Sequence, residues 1–286
     1  MNRAEFLKEV LSSGICPENF ESIYEGFKAY QQKALDTLCE FHRVCEKNGL
    51  RYQLAYGSLL GAVRDNGQIP WDYDVDVFVP YEDRFKLIEA LKADLSKDFY
   101  FYCPEIDSKC RHFIMRVTPK GYKSEVLHVD VFYVIGAPTN EAEMKLFTEQ
   151  VKFYFNTRYE KLIKPIENCN GSIRRLCGIL WRKAKAMKYS IKDVTANYER
   201  LCSEYDFDEA PYSVGADYTA VKRHYDTKKM WNTVLYTTEN GVFRIPENYD
   251  EILTSTYGDY KKIFPLKDRL DEMMYHYKWL KSFENK

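Results

Sequence analysis

Residues 72–79 read DYDVDVFV, with Asp72, Asp74 and Asp76 alternating with Tyr73, Val75 and Val77. Side chains alternate along a strand, so this spacing predicts a strand with three carboxylates on one face and the other face packed into a core. Aspartate is a poor strand former and neighbouring carboxylates repel one another, so the run calls for a reason. A solvated face on an edge strand is one reading. A divalent cation that neutralises the carboxylates is the stronger one. Magnesium, with manganese as its substitute, takes hard oxygen ligands and is usually held by one or two carboxylates together with substrate phosphates. Asp130, in HVDVF, shares a strand face with His128 and Phe132. A lone aspartate in an apolar strand is costly to bury without a partner, and a cation shared with Asp74 and Asp76 would supply one.

Upstream, Gly57-Ser58 stands between a short strand, RYQLAY, and a short apolar helix, LLGAVR. Such a turn presents backbone N–H groups that can hold phosphate oxygens, or it is a plain turn. Gly61 permits close backbone approach, and Arg64 can give a phosphate a bidentate contact.

These residues need elements to position them. Apolar residues spaced three or four apart from Phe20 to Val44 predict one or two amphipathic helices, ended by Asn48-Gly49. Helical spacing returns over 81–96, and β-like stretches follow at 99–103, 112–118 and 126–135. Helical patterns then dominate, over 139–163, 172–190, 193–205, 247–257 and 267–283. The expected architecture is α+β: a mixed-sheet core at about 35–135, a helical N-terminal flank and a helical part over about 139–286, in one domain.

Composition removes several alternatives. The chain has 286 residues, 42 Lys+Arg against 43 Asp+Glu, and a net charge of −1, which gives no support to a nucleic-acid binder. No stretch reaches the roughly 18 apolar residues of a membrane span. The N-terminal segment carries charges where a secretory signal would be apolar, so a cytoplasmic protein is expected. The eight cysteines form no CxxC pair and read as reduced thiols. The 24 Tyr, 17 Phe and 4 Trp fit either packing or a site for stacking or for a quaternary ammonium.

The run Gly57-Ser58-Leu59-Leu60-Gly61-Ala62-Val63-Arg64, followed by Ile69-Pro70-Trp71-Asp72-Tyr73-Asp74-Val75-Asp76, resembles the LicD family. It is also similar to the catalytic domain of fukutin and fukutin-related protein, within the nucleotidyltransferase superfamily typified by DNA polymerase beta. Ile245-Pro246-Glu247-Asn248-Tyr249-Asp250 and Tyr257-Gly258-Asp259-Tyr260 are similar to that family's C-terminal signature. The resemblance spans about residues 35–265. Many bacterial members have an aspartate where this chain has Tyr73, a position that alternation turns away from the acidic face.

The resemblance implies a polymerase-beta-like core and a bacterial, magnesium-dependent transferase. It would move phosphocholine, or a related phospho-alcohol, from CDP-choline or another CDP-alcohol to a sugar hydroxyl of a glycan or lipid-linked glycan precursor, releasing CMP. It also implies metal-binding and catalytic roles for Asp74, Asp76 and Asp130, donor-phosphate contacts from Gly57, Ser58 and Arg64, and a supporting role for Asp72. Asp130 would also be placed to take the acceptor's proton. A nucleotidyl transfer that releases pyrophosphate and an inactive nucleotide-binding module are the alternatives.

Residues 173–192 carry seven Lys/Arg and no Asp/Glu. They read as an amphipathic helix with either a basic solvent side or a contact for the inner face of an anionic membrane. Trp71, Tyr73, Tyr56 and Tyr133 are the aromatic residues nearest the motif that could serve a trimethylammonium group. Arg111, Arg116 and Lys120 are candidates to face the acidic centre. Cys103, Cys110 and His112 are a weak zinc candidate. His42, His224 and His276 are expected to be structural or at the surface.

Overall fold

The apolar repeat from Phe20 forms one helix, because Phe20, Tyr24, Phe27, Ala34, Leu38, Phe41 and Val44 make a single buried stripe. In the computed structural model, which describes residues 1–169, 171–219 and 224–284, α1 (Arg3–Leu11) precedes this long α2 (Phe20–Lys47). Gly49 ends α2 at φ 61°, a left-handed conformation that glycine adopts without strain, and the Leu50 N–H closes the turn on the Cys45 carbonyl.

The chain continues through β1 (Gln53–Leu54), α3 (Tyr56–Leu60) and a π-turn over Gly61–Asp65, to β2 (Val75–Pro80) and α4 (Arg84–Asp94). Then come β3 (Phe99–Tyr102), β4 (Met115–Pro119) and β5 (Val129–Ala137). The main sheet runs β1-β2-β5-β4-β3; β2 and β5 are parallel and the other pairings antiparallel. Val75, Val77 and Val79 register with Val129, Val131 and Tyr133 on one buried face. Leu35 and Leu38 of α2 line a small cavity together with Val75, so α2 covers this face.

The second half holds α5 (Glu141–Leu162), α6 (Pro165–Asn168), α7 (Ile173–Ala186) and α8 (Ile191–Cys202). After them come β6 (Tyr212–Gly215), β7 (His224–Asp226), α9 (Thr227–Trp231), the hairpin β8 (Thr233–Thr238) and β9 (Gly241–Pro246), α10 (Tyr249–Tyr257) and α11 (Leu266–Glu284). α5 packs on α7 and α8, and Tyr198 of α8 stacks on Phe113 at 3.8 Å. No helix among the described residues is long and apolar enough to cross a membrane.

The structure is thus mixed α/β, and it departs from the expected layout in two places. The second half is not wholly helical: β6 extends the main sheet by pairing with the far end of β5 and carries β7 beyond it, while β8 and β9 form a separate hairpin. And β2 begins at Val75, not at residue 72, because β5 offers no partner before Val129. The loop before β2 is held instead by Gln31 of α2, whose Nε2 donates to the carbonyls of Asp72 at 2.6 Å and Ile69 at 3.1 Å.

Candidate active site

The parallel register sets Asp76 directly beside Asp130, and the antiparallel register sets Arg116 of β4 on the other side of Asp130. Partners in register share a sheet face, so one row runs Asp76, Asp130, Arg116 across three strands. Arg116 Nε donates to Asp130 Oδ1 at 2.8 Å, and His128 Nε2 lies 3.2 Å from the same oxygen. Burial alone would raise the Asp130 pKa, but Arg116 and His128 outweigh it and hold the carboxyl well below the usual carboxylate range.

Asp76 has the opposite environment. Burial, then the charges of Asp74, Asp130 and Asp217, push its pKa well above the ordinary value. Its backbone is fixed on both sides: the N–H donates to Ser58 Oγ at 2.9 Å, and the carbonyl accepts from the Ala55 N–H at 2.9 Å. Asp72 is also raised well above its ordinary value, by burial and then by the neighbouring Asp74. The acidic residues are therefore gathered although only Asp76 lies in the strand.

The loop before β2 is shaped by close approaches. A Cβ on Gly61 would lie 2.6 Å from the Gly67 carbonyl oxygen, so the turn tolerates only glycine there. A Cβ on Gly57 would meet Asp72 Oδ2 at 3.3 Å. The tip of the β8–β9 hairpin clamps the same loop, with the Gln68 N–H on Asn240 Oδ1 at 2.8 Å and the Glu239 N–H on the Asn66 carbonyl at 2.9 Å.

Asp74, Asp76 and Asp130 line one cleft of about 390 Å³ together with Tyr56, Phe132, Tyr218, Thr219 and Tyr257. Gly57 and Ser58 line a narrower recess that also touches Asp72 and Asp74, and they lie in the first turn of α3. Arg64 stands apart from both: its guanidinium is 2.7 Å from Asp65 and lies over the Trp71 ring. Of the four aromatic residues near the motif, Tyr56 alone lines the cleft. Tyr133 is buried against Tyr81, and Tyr73 packs on His276.

Several site residues had little or no sequence signal. Asp217, fully buried after β6, accepts from the Tyr56 hydroxyl at 2.9 Å. Tyr56 takes φ 43°, unusual for a bulky residue, where its ring sits edge-on to Phe78 and Phe132. Glu272 and His276 of α11 both feel the charge of Asp74. His276 is thus beside the motif, with its pKa lowered by burial against the opposing pull of Asp74. His42 makes a structural contact with the Tyr52 hydroxyl at 2.5 Å, whereas the side chain of His224 lies outside the described residues. Cys110 Sγ points to the His112 carbonyl.

Among the described residues, no three His, Cys, Asp or Glu side chains form a ready metal cage, at this cleft or at the cysteines. The donor set at the cleft is nevertheless all carboxylate oxygen, with Asp76 destabilised by like charges. That chemistry fits a hard divalent cation held by a carboxylate pair and completed by ligand oxygens.

Residues 49–171 match the LicD/FKTN/FKRP nucleotidyltransferase domain family. The chain is 27% identical over 260 residues to the lipopolysaccharide cholinephosphotransferase LicD of Haemophilus influenzae, covering 84% of this chain and 92% of that protein. A shorter match joins this chain to the ribitol 5-phosphate transferase FKRP of Homo sapiens and of Mus musculus. It is 58% identical over 40 residues, 14% of this chain and 8% of each FKRP. The LicD match region includes α3, β2 and β5, and so all of Gly57, Ser58, Arg64, Asp72, Asp74, Asp76 and Asp130.

Proposed function

We propose that this chain transfers phosphocholine, or a related phospho-alcohol, from a CDP-alcohol to a sugar hydroxyl of a cell-surface glycan precursor, releasing CMP on the cytoplasmic side of a bacterial membrane. The observation that carries the reading is the meeting of Asp74, Asp76 and Asp130 in one cleft, inside the region that matches the LicD family. The names of the two kinds of relative, a cholinephosphotransferase and a ribitol 5-phosphate transferase, support a phospho-alcohol as the group moved.

Phosphoryl transfer depends chiefly on positioning and charge neutralisation. Asp74 and Asp76 would hold magnesium, or manganese, with Asp130 beside them. The bound cation would neutralise the donor's pyrophosphate. Ser58 fixes the backbone of Asp76, and Gln31 fixes that of Asp72, so the carboxylates are placed before any ligand arrives. Arg116 and His128 keep Asp130 ionised, the state in which it can bind a cation or accept a hydrogen bond from the acceptor hydroxyl. Gly57 and Ser58 are the proposed contacts for donor phosphates in the recess beside Asp74. Arg64, paired with Asp65 outside the recess, is not placed to join them in this structure.

The test measures products and binding with CDP-choline, CDP-ribitol, CDP-glycerol and CDP-ethanolamine, each with and without magnesium. CMP release with one donor, and a magnesium-dependent rise in melting temperature with that donor, support the reading. Pyrophosphate release from CTP would replace it with nucleotidyl transfer, and absence of all ligand binding would leave a non-catalytic module. Asp74→Ala and Asp76→Ala should each lower turnover by about 10²–10³-fold or more, the scale of losing one preorganised electrostatic group. Retained activity in either variant would overturn the assignment.

A further inference from the structure

We infer that α7 is a docking face for an anionic lipid bilayer. The helix buries only Ile179 and Ala186, and these lie, with Lys183, on the side toward α5. A second apolar stripe faces solvent. Ile173, Cys177, Leu180, Ala184 and Met187 follow one another at intervals of four and three, which places them on one line of the helix. Ile173 is 79% exposed, Leu180 49% and Met187 59%. Trp181, 60% exposed, borders the stripe, and Ile166 of the neighbouring α6 is 82% exposed. Leaving so many large apolar side chains in water on one short helix is unfavourable unless something covers them.

The charges around the stripe say what covers it. Two of the cations serve the fold: Lys183 caps the end of α5 through the carbonyls of Lys161 and Ile163, and Arg182 pairs with Glu160 at 2.6 Å. Arg174, Arg175 and Lys188 have no acidic partner among the described residues, and Lys185 lies over the Trp181 ring at 3.4 Å. Of the acids before α7, Glu167 and Glu160 are taken by Lys164 and Arg182, and after it Asp193 stands in the first turn of α8. An apolar stripe with an aromatic edge and unpaired Lys/Arg beside it is the arrangement of a helix lying in the plane of an anionic membrane surface. A second copy of the chain fits worse, since the pairing of two such helices would oppose the five cations of one α7 with the five of the other and no acid. The inference concerns binding and is independent of which reaction the cleft performs.

The test is sedimentation of the full chain with vesicles of phosphatidylcholine alone or mixed with phosphatidylglycerol. Binding is expected on the anionic vesicles only, and it should fall steeply with salt. Leu180→Glu/Trp181→Glu should weaken it at least tenfold. Arg174→Glu/Lys188→Glu should do likewise, since each cation near such a surface is worth about fivefold in affinity. All four side chains are exposed or partnered only within α7, so both variants should keep the melting temperature of the parent. No binding to anionic vesicles, or binding that neither variant weakens, would overturn the inference. So would a mass that rises with protein concentration, is abolished by Leu180→Glu/Trp181→Glu and occurs without vesicle binding; that result would assign the stripe to self-association.

Discussion

The cleft and the helix α7 each concentrate charge of one sign, but the molecule treats the two concentrations differently. In the cleft the carboxylates are partly buried, Asp76 and Asp130 are set by strand register, and Ser58 and Gln31 fix the backbones of Asp76 and Asp72. On α7 the unpaired cations stand in solvent at the ends of flexible stems, and only Lys183 and Arg182 help to hold the fold. Buried like charge raises the energy of the folded chain until a ligand neutralises it. Exposed like charge leaves stability nearly unchanged and acts through its field. The cleft is therefore built to hold a ligand in one geometry, whereas the helix is suited to a partner that need only be flat and negative.

The largest effect expected on stability comes from the single balanced charge in the cleft. Arg116→Met would leave Asp130 buried beside His128 alone. Breaking one side of a buried ion pair costs about 3–5 kcal/mol. The surviving His128 contact places the expectation near the lower end, about 3 kcal/mol by urea denaturation. Adding Asp130→Asn to Arg116→Met should recover part of that loss. If the double variant is no more stable than the single one, the Arg116–Asp130 pair is not what supports the sheet here.

A smaller effect of opposite sign is expected one strand away. Asp76 and Asp72 have folded-state pKa values above their unfolded ones, so their contribution favours folding below the ordinary carboxylate pKa and is lost as pH rises through the folded values. Asp130 is depressed, and its contribution is present above the unfolded pKa and lost as pH falls through the folded one. Asp76→Asn should therefore stabilise the metal-free chain near neutral pH by about 1 kcal/mol, about 2 °C in melting temperature, and flatten its loss of stability with rising pH. The same substitution should remove any stabilisation by magnesium. A neutral-pH destabilisation by Asp76→Asn would mean that the carboxylates do not strain one another as their burial implies.

How much of this was legible in the sequence follows from how local each cause is. The alternation DYDVDVFV and the lone aspartate of HVDVF were enough to single out Asp74, Asp76 and Asp130, because strand periodicity is a local rule. The start of β2 was not, since it depends on where β5 begins, far along the chain. Asp217 sits in an ordinary strand-end sequence and matters only because β6 joins β5 in register. Glu272 and His276 look like any polar residues of a helix until α11 is laid against Tyr73. The β8–β9 hairpin did carry a signal that could have been used: β-branched and aromatic runs on either side of Glu239-Asn240-Gly241. What passes unread between sequence and site is mainly the docking of the second half onto the first.

The smallest expected change separates the two regions most cleanly. Arg174→Gln/Lys188→Gln removes two cations that have no acidic partner among the described residues, so the melting temperature should move by no more than about 0.5 kcal/mol equivalent, the range of ordinary surface substitutions. A comparable charge removal in the cleft is expected to change stability severalfold more, in either direction. If Arg174→Gln/Lys188→Gln instead destabilised the chain by more than about 1 kcal/mol, those cations would be holding α7 in place, as Lys183 does. The basic helix would then be part of the scaffold. Its apolar stripe would have to be explained by folding and not by a surface it meets.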